Sequence, residues 1–202
     1  MTTSTKRIGI IETGAGNVAS LHAAIERAGR IAVRLNTPQL DDIDQLVIPG
    51  QGRFGPVMQT LKRAGWLPAL QLWFNHNRPL LGICVGLQVL FEASEEDVGI
   101  HGLGFLRGEV RRLKSPKQPM TGWAAVDFVR PDADERAINE QDGDAYFVNS
   151  FVVPDCKEAV AWTEYGERFC AVIRTDAWLA CQFHPEKSGR YGAELLNQWL
   201  VS

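Results

Sequence analysis

Residues 81–90 read LGICVGLQVL. The run 80–83 has the length and apolar character of a buried strand, and over 86–92 the pattern turns helical. Cys84 stands at the seam, between Gly82 and Gly86, in the form G-x-C-x-G. This is the thiol version of a nucleophile elbow, a sharp turn from strand to helix. A tight turn crowds any Cβ near the backbone, which is why glycine flanks it. Such a turn lifts its central side chain at the carboxyl edge of a sheet, where open α/β sheets bind ligands. The N-terminus of the following helix then favours the thiolate, the reactive form of cysteine. The same ten residues also fit a packed turn around a core thiol, since cysteine is among the most buried residue types.

The segments before the elbow alternate. Strands are expected at 8–11, 32–35 and 46–48, and helices at 18–28, 57–64 and 67–74. Gly29 is a stop for the first helix, and Gly65 with Pro68 separates the other two. Strands alternating with helices predict a mostly parallel central sheet with helices on both faces. The second half is richer in strands, at 110–113, 124–128, 145–148, 159–162, 169–173 and 178–183, before a final helix at 193–200. These add antiparallel strands to an α/β fold. Residues 115–119 and 130–144 are polar and carry proline, glycine or aspartate, as surface loops do. Residues 1–202 are expected to form one domain, a size that suits the 202-residue chain.

Composition narrows the function. A net charge of −3 provides no basic excess of the kind a phosphate backbone demands, so nucleic acid is not an expected partner. No apolar run is long enough to span a bilayer, and the opening MTTSTKRIGIIETG is not a secretory signal. The expected compartment is the cytoplasm. The four cysteines, Cys84, Cys156, Cys170 and Cys181, are widely spaced and form no CxxC, which fits neither a disulfide framework nor a zinc site. Cys156, Cys170 and Cys181 are read as small packing residues.

A second motif supplies what an elbow cysteine lacks. In QFHPE, residues 182–186, Pro185 disfavours helix at His184, so the chain is expected to be extended there. Residues i and i+2 of an extended segment point to one side, so His184 and Glu186 can share a space. The carboxylate can hold one ring nitrogen and leave the other to take a thiol proton. His22, His76 and His101 have no such company. Pro49-Gly50-Gln51-Gly52 follows the 46–48 strand, and amides of a glycine-rich turn can face a developing negative charge. The candidate oxyanion donors are the backbone N–H groups of Gln51, or of its glycine neighbours, and of Val85. Taken singly, these segments also fit a surface His–Glu pair and a plain strand-to-helix turn.

PGQGRFG, GICVGLQ and QFHPEKSG, in this order and spacing, resemble the class I, triad-type glutamine amidotransferases. GICVGLQVLFEASEE, YFVNSF and the GWAAV after Pro119 are similar to segments of one of their families, the glutamine amidotransferase subunits of imidazole glycerol phosphate synthase in histidine biosynthesis. The resemblance runs from Ile8 to the last helix. It implies that Cys84 attacks the side-chain amide of glutamine, with His184 as base and then acid and Glu186 orienting it. It implies substrate contacts at Gly52, Gln88, Glu96, Asn149, Ser150 and Phe151, and no metal or cofactor. Without the resemblance, Gln88 would be read as a solvated helix residue and Glu96 as a solvated acid. It further implies a heterodimer in which ammonia passes to a (β/α)8-barrel cyclase that makes imidazole glycerol phosphate and an aminoimidazole carboxamide ribotide. The partner face would include Trp123 and Lys187, and glutamine hydrolysis would rise when the cyclase binds its ligand.

Several positions depart from that family's pattern. They are Glu12-Thr13-Gly14, Gln51, Met120-Thr121, Ala124 and Asn149, the last where histidine is usual. They bear on the partner and its coupling more than on the cysteine chemistry. A paralogous subunit that feeds ammonia to a different synthase, for example in sugar amination or amidination, is therefore the alternative. A thiol hydrolase for γ-glutamyl peptides and a non-catalytic regulatory subunit are further ones.

Overall fold

The computed structural model describes residues 5–14, 18–128 and 142–201. In chain order the first half comprises β1 (Arg7–Ile11), α1 (Val18–Arg27), β2 (Ile31–Leu35), β3 (Gln45–Ile48), α2 (Phe54–Arg63), α3 (Trp66–Asn75), β4 (Leu80–Ile83) and α4 (Val85–Gln88). Then follow β5 (Ala93–Ser94), β6 (Glu109–Arg112), β7 (Met120–Phe128), β8 (Gly143–Asn149), β9 (Phe151–Val152), β10 (Ala159–Glu164), β11 (Arg168–Arg174) and β12 (Trp178–Cys181). A 3-10 turn over Pro185–Lys187 leads into α5 (Gly189–Val201). The loop expected over 130–144 lies largely outside the described residues.

Nine strands form one sheet in the order β2-β1-β3-β4-β12-β11-β10-β7-β8. Pairing is parallel from β2 to β12 and antiparallel from β12 to β8. The strands expected from 124 onward thus extend the parallel sheet, whereas the one expected at 110–113 lies in a separate sheet. A small second sheet, β5-β6-β9, joins two strands of two residues each that have no sequence pattern of their own.

Strands β3 and β4 are buried at every position because both faces are covered. Alternate residues divide between two clusters. Val47, Leu81 and Ile83 pack with Val18, Leu21 and Ile25 of α1 and Leu195, Leu196 and Trp199 of α5. Leu46, Ile48 and Leu80 pack on the opposite face with Phe54 and Leu61 of α2 and Trp66, Leu70 and Trp73 of α3. Burial of each such side chain stabilises the fold by about 1.5–3 kcal/mol, which holds the strand ends in register. No helix among the described residues is long and apolar enough to cross a membrane.

Helix α5 begins at Gly189, four residues before its expected start, and α2 and α4 differ from their expected bounds for tertiary reasons. Helix α2 begins at Phe54, three residues earlier than its apolar periodicity indicates. Its N-cap, Arg53, makes no side-chain cap. Glu96 Oε2 accepts from Phe54 N at 2.9 Å, and Asp97 Oδ2 from Gly55 N at 2.8 Å. Two carboxylates from a distant segment therefore satisfy amides that a helix start leaves open. Helix α4 stops at Gln88 instead of running to residue 92. Beyond it Leu90 N and Phe91 N donate three residues back, to Leu87 O and Gln88 O, and Glu92 N donates to Gly108 O at 3.2 Å instead of to the helix.

Candidate active site

Three neighbouring strands, β3, β4 and β12, end side by side, with Ile48 opposite Gly82 and Ile83 opposite Cys181. Beyond these ends stand Gly50, Cys84 and His184, so the sheet register itself gathers the candidate groups. Cys84 has φ 48° and ψ −107°. Asn77 is the other non-glycine residue with positive φ among the described residues. Such a conformation costs roughly 1–3 kcal/mol and persists where the surroundings impose it, typically at a functional turn. The surroundings here are specific. Cys84 N donates to Cys181 O at 2.7 Å, and Leu87 N and Gln88 N donate to Cys84 O at 3.0 and 3.1 Å. The backbone of β3 presses against the elbow, so that a Cβ on Gly86 would lie 2.0 Å from Ile48 O and one on Gly50 2.1 Å from Ile83 O.

Cys84 is 7% exposed. It borders a cavity of about 210 Å³. Gly52, Val85, Gln88, Glu96 and residues 149–151 line that cavity with it, joined by Pro119 and Val148. Gln88 is buried, with Nε2 donating to Phe151 O at 3.0 Å and to Gln182 Oε1 at 3.1 Å, so it is not a solvated helix residue. Nor is Glu96 a solvated acid, since it caps α2 as described and borders the cavity as well. Asn149 Nδ2 donates to Phe151 O at 3.3 Å, while its Oδ1 is buried without a partner. Gln51 is placed elsewhere. The turn bends at Gly52, φ 115°, so Gly52 faces the Cys84 cavity and Gln51 borders a separate crevice with Glu186.

His184 is extended, φ −100° and ψ 98°, but the strand does not continue. The 3-10 turn Pro185–Lys187 folds back, and it is this turn, not period-two alternation, that brings Glu186 Oε1 to 2.9 Å from His184 Nδ1. Both side chains are almost fully enclosed. With Nδ1 on Glu186, Nε2 is the ring nitrogen left for Cys84. Burial works most strongly against the charged ring, but the hydrogen bonds with Cys84 and Glu186 and their negative charge outweigh it, and the His184 pKa is raised to about 9.

Two residues that sequence reasoning left out support this arrangement. Ser188 Oγ donates to His184 O at 2.7 Å and accepts from Tyr146 N at 2.9 Å, tying the histidine to β8. No sequence signal marks it. Gln182 is fully buried, with Nε2 3.5 Å from Cys84 Sγ. The period-two rule applied to residues 182 and 184 would have found it.

Trp123 is 58% exposed and meets Tyr146 edge-on, with ring centroids 6.0 Å apart. It approaches Gly189, two residues after the half-buried Lys187. The other thiols are free, with Cys170 and Cys181 buried and Cys156 partly so. Burial pushes the Cys181 thiol well up. His22 pairs with Glu26 at 3.4 Å on α1, His76 bonds Leu72 O at 2.9 Å, and His101 is exposed.

A sheet covered on both faces thus carries an elbow cysteine and a buried His–Glu pair at the ends of its central strands. The family model described as Glutamine amidotransferase class-I matches residues 10–202. The imidazole glycerol phosphate synthase subunit HisH of a Thermus thermophilus strain is 39% identical over 189 residues, covering 93% of each chain. That of Methanocaldococcus jannaschii is 38% identical over 195 residues, covering 96% of this chain and 98% of its own. The chain belongs to the class I glutamine amidotransferases and, within them, to the family of imidazole glycerol phosphate synthase subunits HisH. Solved structures share the fold. One described as a glutamine amidotransferase superposes with TM-score 0.77 at 18% identity over 96% of this chain and 97% of its own. The PurLQS structure from Thermotoga maritima gives 0.76 at 16% identity over 98% of each.

Proposed function

We propose that this chain is a glutaminase subunit, hydrolysing L-glutamine to glutamate and ammonia and passing the ammonia to a cyclase that makes imidazole glycerol phosphate in histidine biosynthesis. The observation that carries the reading is the buried Cys84–His184–Glu186 line beside a cavity bordered by Gln88 and Glu96. Cys84 gives its proton to His184 Nε2, and the sulfur attacks the glutamine amide carbon. Backbone N–H groups of Val85 and of the loop at Gly52 face the oxygen as it gains charge. Protonated His184 then hands its proton to the departing nitrogen, the C–N bond breaks, and ammonia leaves a γ-glutamyl thioester. Water, deprotonated by His184, breaks the C–S bond and releases glutamate. Glu96 suits the substrate's α-ammonium. Gln88, whose two N–H donors are occupied, offers its carbonyl oxygen. Gln88→Leu should therefore raise the KM for glutamine about tenfold in a steady-state assay, the scale of one or two lost hydrogen bonds in a closed site.

The raised His184 basicity has a definite sign. The imidazolium persists at neutral pH and is lost as pH rises through about 9, so turnover should decline on that alkaline limb. In Glu186→Gln the negative neighbour is gone, the imidazolium is less favoured, and the limb should move to lower pH. A kcat/KM–pH profile with an unmoved limb would detach Glu186 from His184.

Free ammonia in neutral water is largely protonated and no longer nucleophilic, so direct transfer to a partner chain fits the chemistry. Exposed Trp123, near Gly189 and the end of the turn that carries Lys187, supports a docking face close to the triad. The test is glutamate release by this chain alone, with the cyclase subunit of an imidazole glycerol phosphate synthase, and with that partner plus its nucleotide ligand. Ligand-stimulated release supports the histidine-pathway role. Its absence, with glutaminase intact, would point to a different synthase.

A further inference from the structure

We infer that Gln182 is a positioning residue that fixes the polarity of the site, from the protein backbone to the reactive sulfur. This rests on the reading of Cys84 as nucleophile and Gln88 as a substrate contact. The reasoning starts at Phe151, whose backbone oxygen can only accept a hydrogen bond. Gln88 must therefore turn its NH2 towards it, at 3.0 Å. The second N–H of that NH2 points at Gln182, 3.1 Å away, so Gln182 must present its carbonyl oxygen there. An amide has one oxygen and one nitrogen, so the Gln182 NH2 is left facing Cys84 Sγ at 3.5 Å. With Gln182 fully buried, no water competes for these groups.

Two consequences follow from this chain of amides. The sulfur meets a donor at Gln182 and an acceptor, Val148 O at 3.8 Å, so the amide orients it and steadies negative charge on it. Helix α4, one turn long, has too few aligned peptides for its dipole to act alone. Gln88 is also held with its carbonyl oxygen left for a ligand. A single buried side chain thereby couples nucleophile activation to the presentation of a substrate acceptor.

Gln182→Glu separates the two roles. The carboxylate can still accept from Gln88 but replaces the donor at sulfur with negative charge. The expected result is roughly tenfold or greater slowing of Cys84 alkylation by iodoacetamide at pH 7, read by peptide mass spectrometry, with an equal fall in kcat and a KM within about twofold of wild type. Gln182→Met, of similar volume and unable to donate or accept, should slow alkylation and also raise KM. If the buried carboxylate prevents folding, as a thermal scan will show, the methionine variant decides. Wild-type alkylation of Cys84 in the folded variants would overturn the inference. Cys84→Ala, assayed alongside, keeps the two readings apart. Its retained turnover would sink the reading of Cys84 as nucleophile, whereas alkylation of Cys84 in the Gln182 variants judges Gln182 whatever the substrate.

Discussion

Replacing Cys84 with alanine should lower glutamine turnover by at least ~10³-fold, the scale seen when a covalent nucleophile is removed. The loss should fall on kcat while the fold survives. Alanine keeps the Cβ that cysteine already carries at φ 48°, so it adds no new backbone strain. No other thiol is placed to substitute. Cys181 belongs to the core beneath the elbow, its thiol pushed well up by burial. Cys170 packs in the cluster on the opposite face, with Cys156 against it. A thermal scan close to wild type together with abolished glutamate release is the expected pair of results. Turnover within a few-fold of wild type would remove Cys84 from the chemistry.

Gly86→Ala should produce the second largest effect, and through a different route. An added Cβ would stand 2.0 Å from Ile48 O, which belongs to the backbone of a central strand and has no rotamer through which to yield. Relief requires moving either the elbow or the end of β3, and the β3 end leads into the loop that carries Gly52. We expect a loss of roughly 3 kcal/mol, in the range of core overpacking and forced backbone shifts. For a chain of this size that corresponds to a melting temperature lower by about 6–12 °C. Glutaminase activity should fall as well, because the displaced groups are the nucleophile and the loop facing the oxyanion. A melting temperature within about 2 °C of wild type would show that the elbow does not depend on this close approach.

The elbow and the His–Pro–Glu segment were legible because their chemistry is written in local residue types. Glycines flank the cysteine at a strand end, and a proline follows the histidine. What was not legible depends on groups far apart in the chain. Helix α2 begins early because Glu96 and Asp97, some forty residues away, cap it, and no local cap signals this. Helix α4 ends early because the chain tightens to three-residue bonds and Glu92 N donates to Gly108 O, sixteen residues on. The expected pairing of His184 with Glu186 is present, but a 3-10 turn makes it where an extended strand was expected. Of the turn proposed from the sequence for the oxyanion, Gly52 borders the Cys84 cavity and Gln51 a separate crevice with Glu186, a division no residue pattern announces. Gln182 was overlooked although it lies two residues before His184, because a buried glutamine gains meaning only from its two partners.

The acyl-enzyme provides the most direct measurement. The enzyme, mixed with glutamine and quenched in acid during turnover, should yield a Cys84 peptide carrying the mass of a γ-glutamyl group, absent without glutamine and in His184→Asn. Continuing glutamate release with no such adduct on Cys84, or with the adduct on Cys156, Cys170 or Cys181, would contradict the account.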